Sequence, residues 1–127
     1  MSKKTIINTK FAPTAIGTYS QGIVYENLIF TSGQIPINPN TNKVVSNKFN
    51  IQVDQVLYNL NQVLKAAGSN KNNIIKLTVY LTDLSNFDLL NIAFKSFFVD
   101  CFPARSVVEV SALPKGVQVE IEAICAR

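Results

Sequence analysis

The sequence predicts an α+β domain, a mixed β-sheet with two helices packed on one face. Two observations carry this. Apolar residues fall at three- and four-residue spacing in two segments and are β-branched or alternating in the others. The segments also follow the order hairpin, helix, strand, helix, strand, strand, in which the helices have a sheet to lie on. A length of 127 residues suits a single domain over residues 1–127, able to bury about two-thirds of its unfolded surface. A hydrophobic content of 47% against 16% charged residues is that of a globular chain and far from a disordered one.

Gly22 to Gly33, GIVYENLIFTSG, places two short apolar runs around Glu26-Asn27 and reads as a hairpin with a tight polar turn. Pro36 and Pro39 break the strand pattern and predict a loop. Val53, Val56, Leu57, Leu60, Val63, Leu64 and Ala67 mark one face of a helix that Gly68 stops. Ile74 to Leu81 reads as a strand, apolar on Ile75, Leu77, Val79 and Leu81. A second helix is expected from Ser85, capping with Asp88, and it buries Phe87, Leu90, Phe94, Phe97 and Phe98 before Pro103. Two last strands, Arg105 to Leu113 and Val117 to Ala126, flank the turn Pro114-Lys115-Gly116.

Two helices cover one sheet face only, while the last strands read as apolar on both sides. Val107 and Leu113 alternate with Val108 and Val110, and Val117, Val119 and Ile121 face away from Ile124. Other copies of the chain are therefore expected to cover the second face. The N-terminal MSKKTIIN lacks the apolar stretch of a secretory signal, and no window is long enough for a membrane span. Cys101 and Cys125 have no CxxC spacing and read as reduced thiols in a cytoplasmic protein. The net charge of +4 is spread over scattered lysines, which gives nucleic acid no continuous basic stripe.

Histidine is absent, which removes the usual general base and the commonest metal ligand, so neither a metal nor a cofactor is expected. There is no glycine-rich phosphate loop. Arg105 follows Pro103-Ala104 at the start of a strand, where its planar fork could take a carboxylate, or pair with Glu109 or Glu122, or reach to water. Glu120 and Glu122 share one strand face between apolar neighbours, which would desolvate a carboxylate and raise its pKa, unless that face is solvated or a lysine satisfies each group. Whether Glu120 shares a face with Arg105 depends on the register of the turn between them. Tyr19, between two glycines, is a pocket lid or a loop anchor. Ser32 and Gly33 offer a hydroxyl and an approachable backbone or simply close a turn. Asn91 falls beside the apolar stripe, where an amide needs a partner.

AIGTYSQGI, TSGQIP, the N-x-x-F of NIAF, FPARSVVEV and VEIEAI, in this order, resemble the reactive intermediate deaminase (RidA, YjgF-type) family over about Thr5 to Ala126. The resemblance implies a chorismate-mutase-like fold, a homotrimeric barrel with pockets at subunit interfaces, and hydrolysis of 2-iminobutanoate and 2-iminopropanoate, the imine and enamine acids released by dehydratases. It makes Arg105 the carboxylate anchor and Glu120 the group that positions water and moves protons. Tyr19, Ser32, Gly33 and Asn91 match pocket positions. Val107 stands where many relatives have Cys, keeping a backbone contact without the thiol. Thr18 replaces the Pro usual before the tyrosine. A rival expectation is an RNA-directed protein, since some relatives are described as endoribonucleases; a non-catalytic scaffold is a third.

Overall fold

The computed structural model describes residues 3–127. Lys4–Ile7 (β1), Gly22–Tyr25 (β2) and Leu28–Thr31 (β3) form an antiparallel meander. The β2–β3 hairpin closes on Glu26 and Asn27 as expected, with Tyr25 opposite Leu28 and Glu26 in the left-handed region at φ 55°. Strand β1 went unread because its polar flanks hide a run of only two isoleucines.

The segment after β3 is more ordered than the loop its prolines suggest. Ile37–Asn38 (β4) and Lys43–Val44 (β5) pair as a small ribbon, tied at its end by the Asn38 side chain, which accepts from the Asn40 amide at 2.8 Å.

The first helix, α1, runs Phe49–Ala66, and the seven apolar positions of its predicted face are all buried. It begins four residues before Val53 because Gln52 is buried too. Gln52 donates to the Ser46 carbonyl and accepts from the Gln118 amide, both at 2.8 Å, so a polar residue closes the first turn against the sheet. Gly68, at φ 83°, ends it: the Gly68 amide bonds to the Lys65 carbonyl and the Ser69 amide to the Leu64 carbonyl, the double closure that a left-handed residue permits.

Ile74–Leu81 (β6) has the predicted limits, with one side chain reversed. A bulge between Ile74 and Lys76 inserts Ile75 as an extra residue, so Ile74 joins Leu77, Val79 and Leu81 in the core while Ile75 is exposed. The second helix starts later than Ser85. Asp83 accepts from the Ser85 amide at 2.9 Å and caps a single 3-10 turn, Leu84–Asn86, after which α2 runs Phe87–Phe97. It buries Leu90, Ala93 and Phe94, and Phe98 follows into the core. Phe97 is partly buried, and Phe87 remains 40% exposed.

The last two strands are Ala104–Glu109 (β7) and Val119–Ala126 (β8), and they are not partners. β6 lies between them, parallel to β7 and antiparallel to β8, in the sheet order β1-β2-β3-β8-β6-β7. Parallel neighbours need a crossover, and α2 supplies it between β6 and β7. Both helices lie on one face, α1 against β8, β3 and α2, as predicted.

The other sheet face differs from the expectation in its residues. β8 turns Glu120, Glu122 and Ile124 outward, so its outer side is half acidic. The apolar exposure comes chiefly from the meander: Ile6, Tyr25, Leu28 and Phe30. Cys101 is exposed, Cys125 is buried, and both are free thiols. Among the described residues no helix is long and apolar enough to cross a membrane.

Asn59, wholly buried on α1, donates to the carbonyls of Ile35 and Ile37 at 3.2 and 2.9 Å and accepts from Gln55. Replacing it by leucine strands two carbonyls in the interior, and we expect a loss of about 1–3 kcal/mol. Urea unfolding at fixed protein concentration measures it; an unchanged midpoint would refute the tie.

Candidate active site

Two clefts receive the sequence-predicted residues, one on each side of the sheet. The first, of about 570 Å³, is lined by Tyr19, Ser32, Gly33, Ile35, Lys115 and Glu120 among others. Its floor is set where the chain leaving β3 rejoins β8: the Gln34 amide donates to the Ile121 carbonyl at 2.8 Å and the Ile121 amide returns to Gln34 at 3.1 Å. That bridge brings Gly33 against Glu120 so closely that a Cβ at position 33 would overlap the glutamate carboxylate. Ser32 uses its hydroxyl internally, donating to the Ser20 carbonyl at 2.5 Å. The bond pins the loop that carries Tyr19.

Gln21, which the sequence did not single out, anchors that loop from the other end. Almost fully buried, it accepts from the Thr9 amide and donates to the Thr9 and Pro13 carbonyls, at 2.7, 2.9 and 2.8 Å. Tyr19 itself stands 53% exposed over the cleft. Its hydroxyl accepts from the Ile16 amide at 3.4 Å, and Gly17 makes the turn before Thr18 at φ 118°. Tyr19 is therefore a cleft wall, not a core anchor.

The second cleft, of about 410 Å³, is lined by Asn91, Phe94, Lys95, Phe102, Pro103 and Arg105. Arg105 donates from Nη2 to Asn91 Oδ1 at 2.7 Å, and its Cζ lies 5.2 Å from the ring centres of both Phe87 and Phe94. The amide that sequence reasoning found in need of a partner thus has one. The competing ion pairs are absent: Glu109 accepts from the Leu84 amide at 2.9 Å, and Glu122 accepts from the Tyr80 hydroxyl at 3.4 Å. Among the described residues no carboxylate balances Arg105.

Register settles the question the turn left open. Arg105 aligns with Leu77 and Val107 with Val79, both facing the helices, whereas Glu120 aligns with Tyr80 on the open side. Within one chain Arg105 and Glu120 point to opposite faces. Val107 packs its side chain against the core and lines neither cleft. The two phenylalanines around Arg105 were legible only as core positions, although their spacing with Asn91, four and three residues apart, is the signal of a shared helix face.

Burial raises the Glu120 pKa above the ordinary carboxylate range, and the neighbouring charge of Glu122 raises it further. Tyr80, opposite, is raised by burial and then by Glu122 and Glu120. Among the described residues no three His, Cys, Asp or Glu side chains gather as a metal would require.

Fold and clefts together define a small α+β protein with a cleft on each side of a mixed sheet, one holding Arg105 and the other Glu120. The chain belongs to the family described as Endoribonuclease L-PSP, whose model matches residues 9–127, and this is the YjgF-type family that its motifs resemble. It is 46% identical over 124 residues to the 2-iminobutanoate/2-iminopropanoate deaminase of Escherichia coli, covering 95% of this chain and 96% of that one. Its fold matches a Rid family protein of unknown function from Yersinia pestis with a TM-score of 0.96 at 48% identity, over 98% and 100% of the two chains. It also matches Escherichia coli TdcF with bound serine, TM-score 0.93 at 43% identity, over 97% and 98%.

Because burial raises the Glu120 pKa first and Glu122 adds to it by charge alone, Glu122→Gln should lower the Glu120 pKa while burial still keeps it raised. Carboxyl carbon NMR titration reads the shift; a Glu120 pKa that rises or stays fixed would contradict the coupling.

Proposed function

We propose that the chain hydrolyses small 2-imino acids and their enamine tautomers, 2-iminobutanoate and 2-iminopropanoate/2-aminoacrylate, to 2-oxoacids and ammonia. The observation that carries this reading is Arg105, fixed in a cleft with no counter-ion among the described residues. An immobilised, unbalanced guanidinium suits a small carboxylate. The named deaminase relative and the relative with bound serine support an amino-acid-like ligand.

Arg105 grips the carboxylate and sets the C=N carbon against the acidic cleft of a neighbouring copy, in a closed ring of three. Glu120 accepts a proton as water adds to the protonated imine carbon, and returns it to the nitrogen of the resulting carbinolamine. The C–N bond then breaks, the hydroxyl proton leaves as the carbonyl forms, and ammonia departs as ammonium. A raised pKa suits a group that must both take and give this proton. Tyr19 walls the cleft against bulk water, while Ser32 and Gly33 hold the approach to Glu120. The Val107 backbone is the remaining contact that the family pattern assigns.

The reading predicts that imine disappearance, followed with a dehydratase generating 2-aminoacrylate, falls to background in Arg105→Ala and in Glu120→Ala. Equal rates for wild type and both variants would defeat it. RNA cleavage that survives both substitutions and weakens steeply with salt would favour the activity for which the family was described.

Mixing gives a sharper outcome. If each site takes Arg105 from one protomer and Glu120 from the next, co-assembling the two inactive variants in equal amounts rebuilds about a quarter of the sites of a ring. Activity near one quarter of wild type is expected. None would be recovered if both residues served the same protomer's site.

A further inference from the structure

Phe87, Asn91 and Phe94 share one face of α2, the face turned toward β7, and Arg105 reaches into it. Its guanidinium carbon stands 5.2 Å from each ring centre, and Asn91 Oδ1 accepts one of its protons at 2.7 Å. Every partner in this arrangement is uncharged. A carboxylate in place of Asn91 would fix the fork as firmly, yet it would cancel the positive charge and occupy donors that an incoming acid needs. Ring faces and an amide oxygen restrain the cation without neutralising it.

We propose that Phe87, Asn91 and Phe94 are positioning residues that immobilise Arg105 while leaving its charge uncompensated, and that Asn91 acts on Arg105 in place of touching substrate. The deaminase reading enters only through the identity of the acid bound. Phe94 is buried and supports the core, so the test falls on Phe87, which is 40% exposed, and on Asn91.

The stable 2-oxoacid 2-oxobutanoate serves as probe, titrated calorimetrically into the intact protein, with imine hydrolysis measured alongside. Phe87→Leu keeps apolar bulk and loses the ring, and should weaken binding about five-fold. Phe87→Tyr keeps the ring and should bind as wild type does. Asn91→Asp keeps size and acceptor but adds a negative charge, and should weaken binding at least about ten-fold. For imine hydrolysis both weakened variants should raise KM with little change in kcat, a split that general loss of packing would not produce.

Binding unchanged in Phe87→Leu or in Asn91→Asp overturns the neutral cradle, as does an equal loss in Phe87→Leu and Phe87→Tyr. Binding that is lost in Arg105→Ala and follows the expected order, in a protein that hydrolyses no imine, sinks the deaminase reading and leaves the cradle standing. Absence of saturable binding, or binding that survives Arg105→Ala, overturns both.

Discussion

Strand β6 is hydrogen-bonded to β8 on one side and to β7 on the other, and side chains along any strand alternate between the two faces. Leu77 and Val79 face the helices, so their neighbours Arg105, Val107 and Ile121 do as well. Tyr80 and Glu120 must then look the other way. Moving Arg105 or Glu120 to the opposite face would need a one-residue slip of its own strand, which turns the core-facing Val107 of β7 or Ile121 of β8 to the open side. Each such exposure costs about 1.5–3 kcal/mol, so the burial of the core and the placing of Arg105 and Glu120 on opposite faces are decided together.

That division has an electrostatic result. Had both residues shared a face, the guanidinium and the carboxylate could have met and neutralised one another. Held on opposite faces, Arg105 keeps a charge that its direct partners, an amide and two rings, do not neutralise, and Glu120 keeps a proton affinity raised by burial and by Glu122. Neither group is quenched by the other within the chain. Glu120 is crowded by burial and like charge and Arg105 by aromatic rings, two different ways of leaving a polar group unneutralised.

Local pattern in the sequence carried the elements well and their pairing poorly. The α1 stripe, the β2–β3 hairpin and the limits of β6 were legible because each depends on neighbours within a few residues. The partnership of β7 and β8 was not, because the short Pro114–Gly116 turn suggests a hairpin, while pairing depends on where the α2 crossover delivers β7. Ile75 was misplaced by a bulge, and a bulge leaves no mark in alternation until the partner strand is known. The start of α2 was read from Ser85 although Asp83 does the capping, two residues earlier and before an intervening 3-10 turn. Arg105, Glu120, Tyr19, Ser32, Gly33 and Asn91 stood out in the sequence by chemistry and by family motif, and all six line clefts. Their separation into two clefts was invisible, and so was the clamp on Arg105, whose rings looked like ordinary core.

Gly33 has a consequence of its own. The atoms a methyl group there would strike are the carboxylate and Cγ of Glu120, all side chain and none backbone, so an alanine would have to turn the whole Glu120 side chain aside. Such a change would move the Glu120 carboxylate within its cleft while leaving the backbone of both segments in place. A larger residue at position 33 fits most easily beside a shorter one at position 120, a pairing that comparison of diverging descendants could detect without reference to any assay.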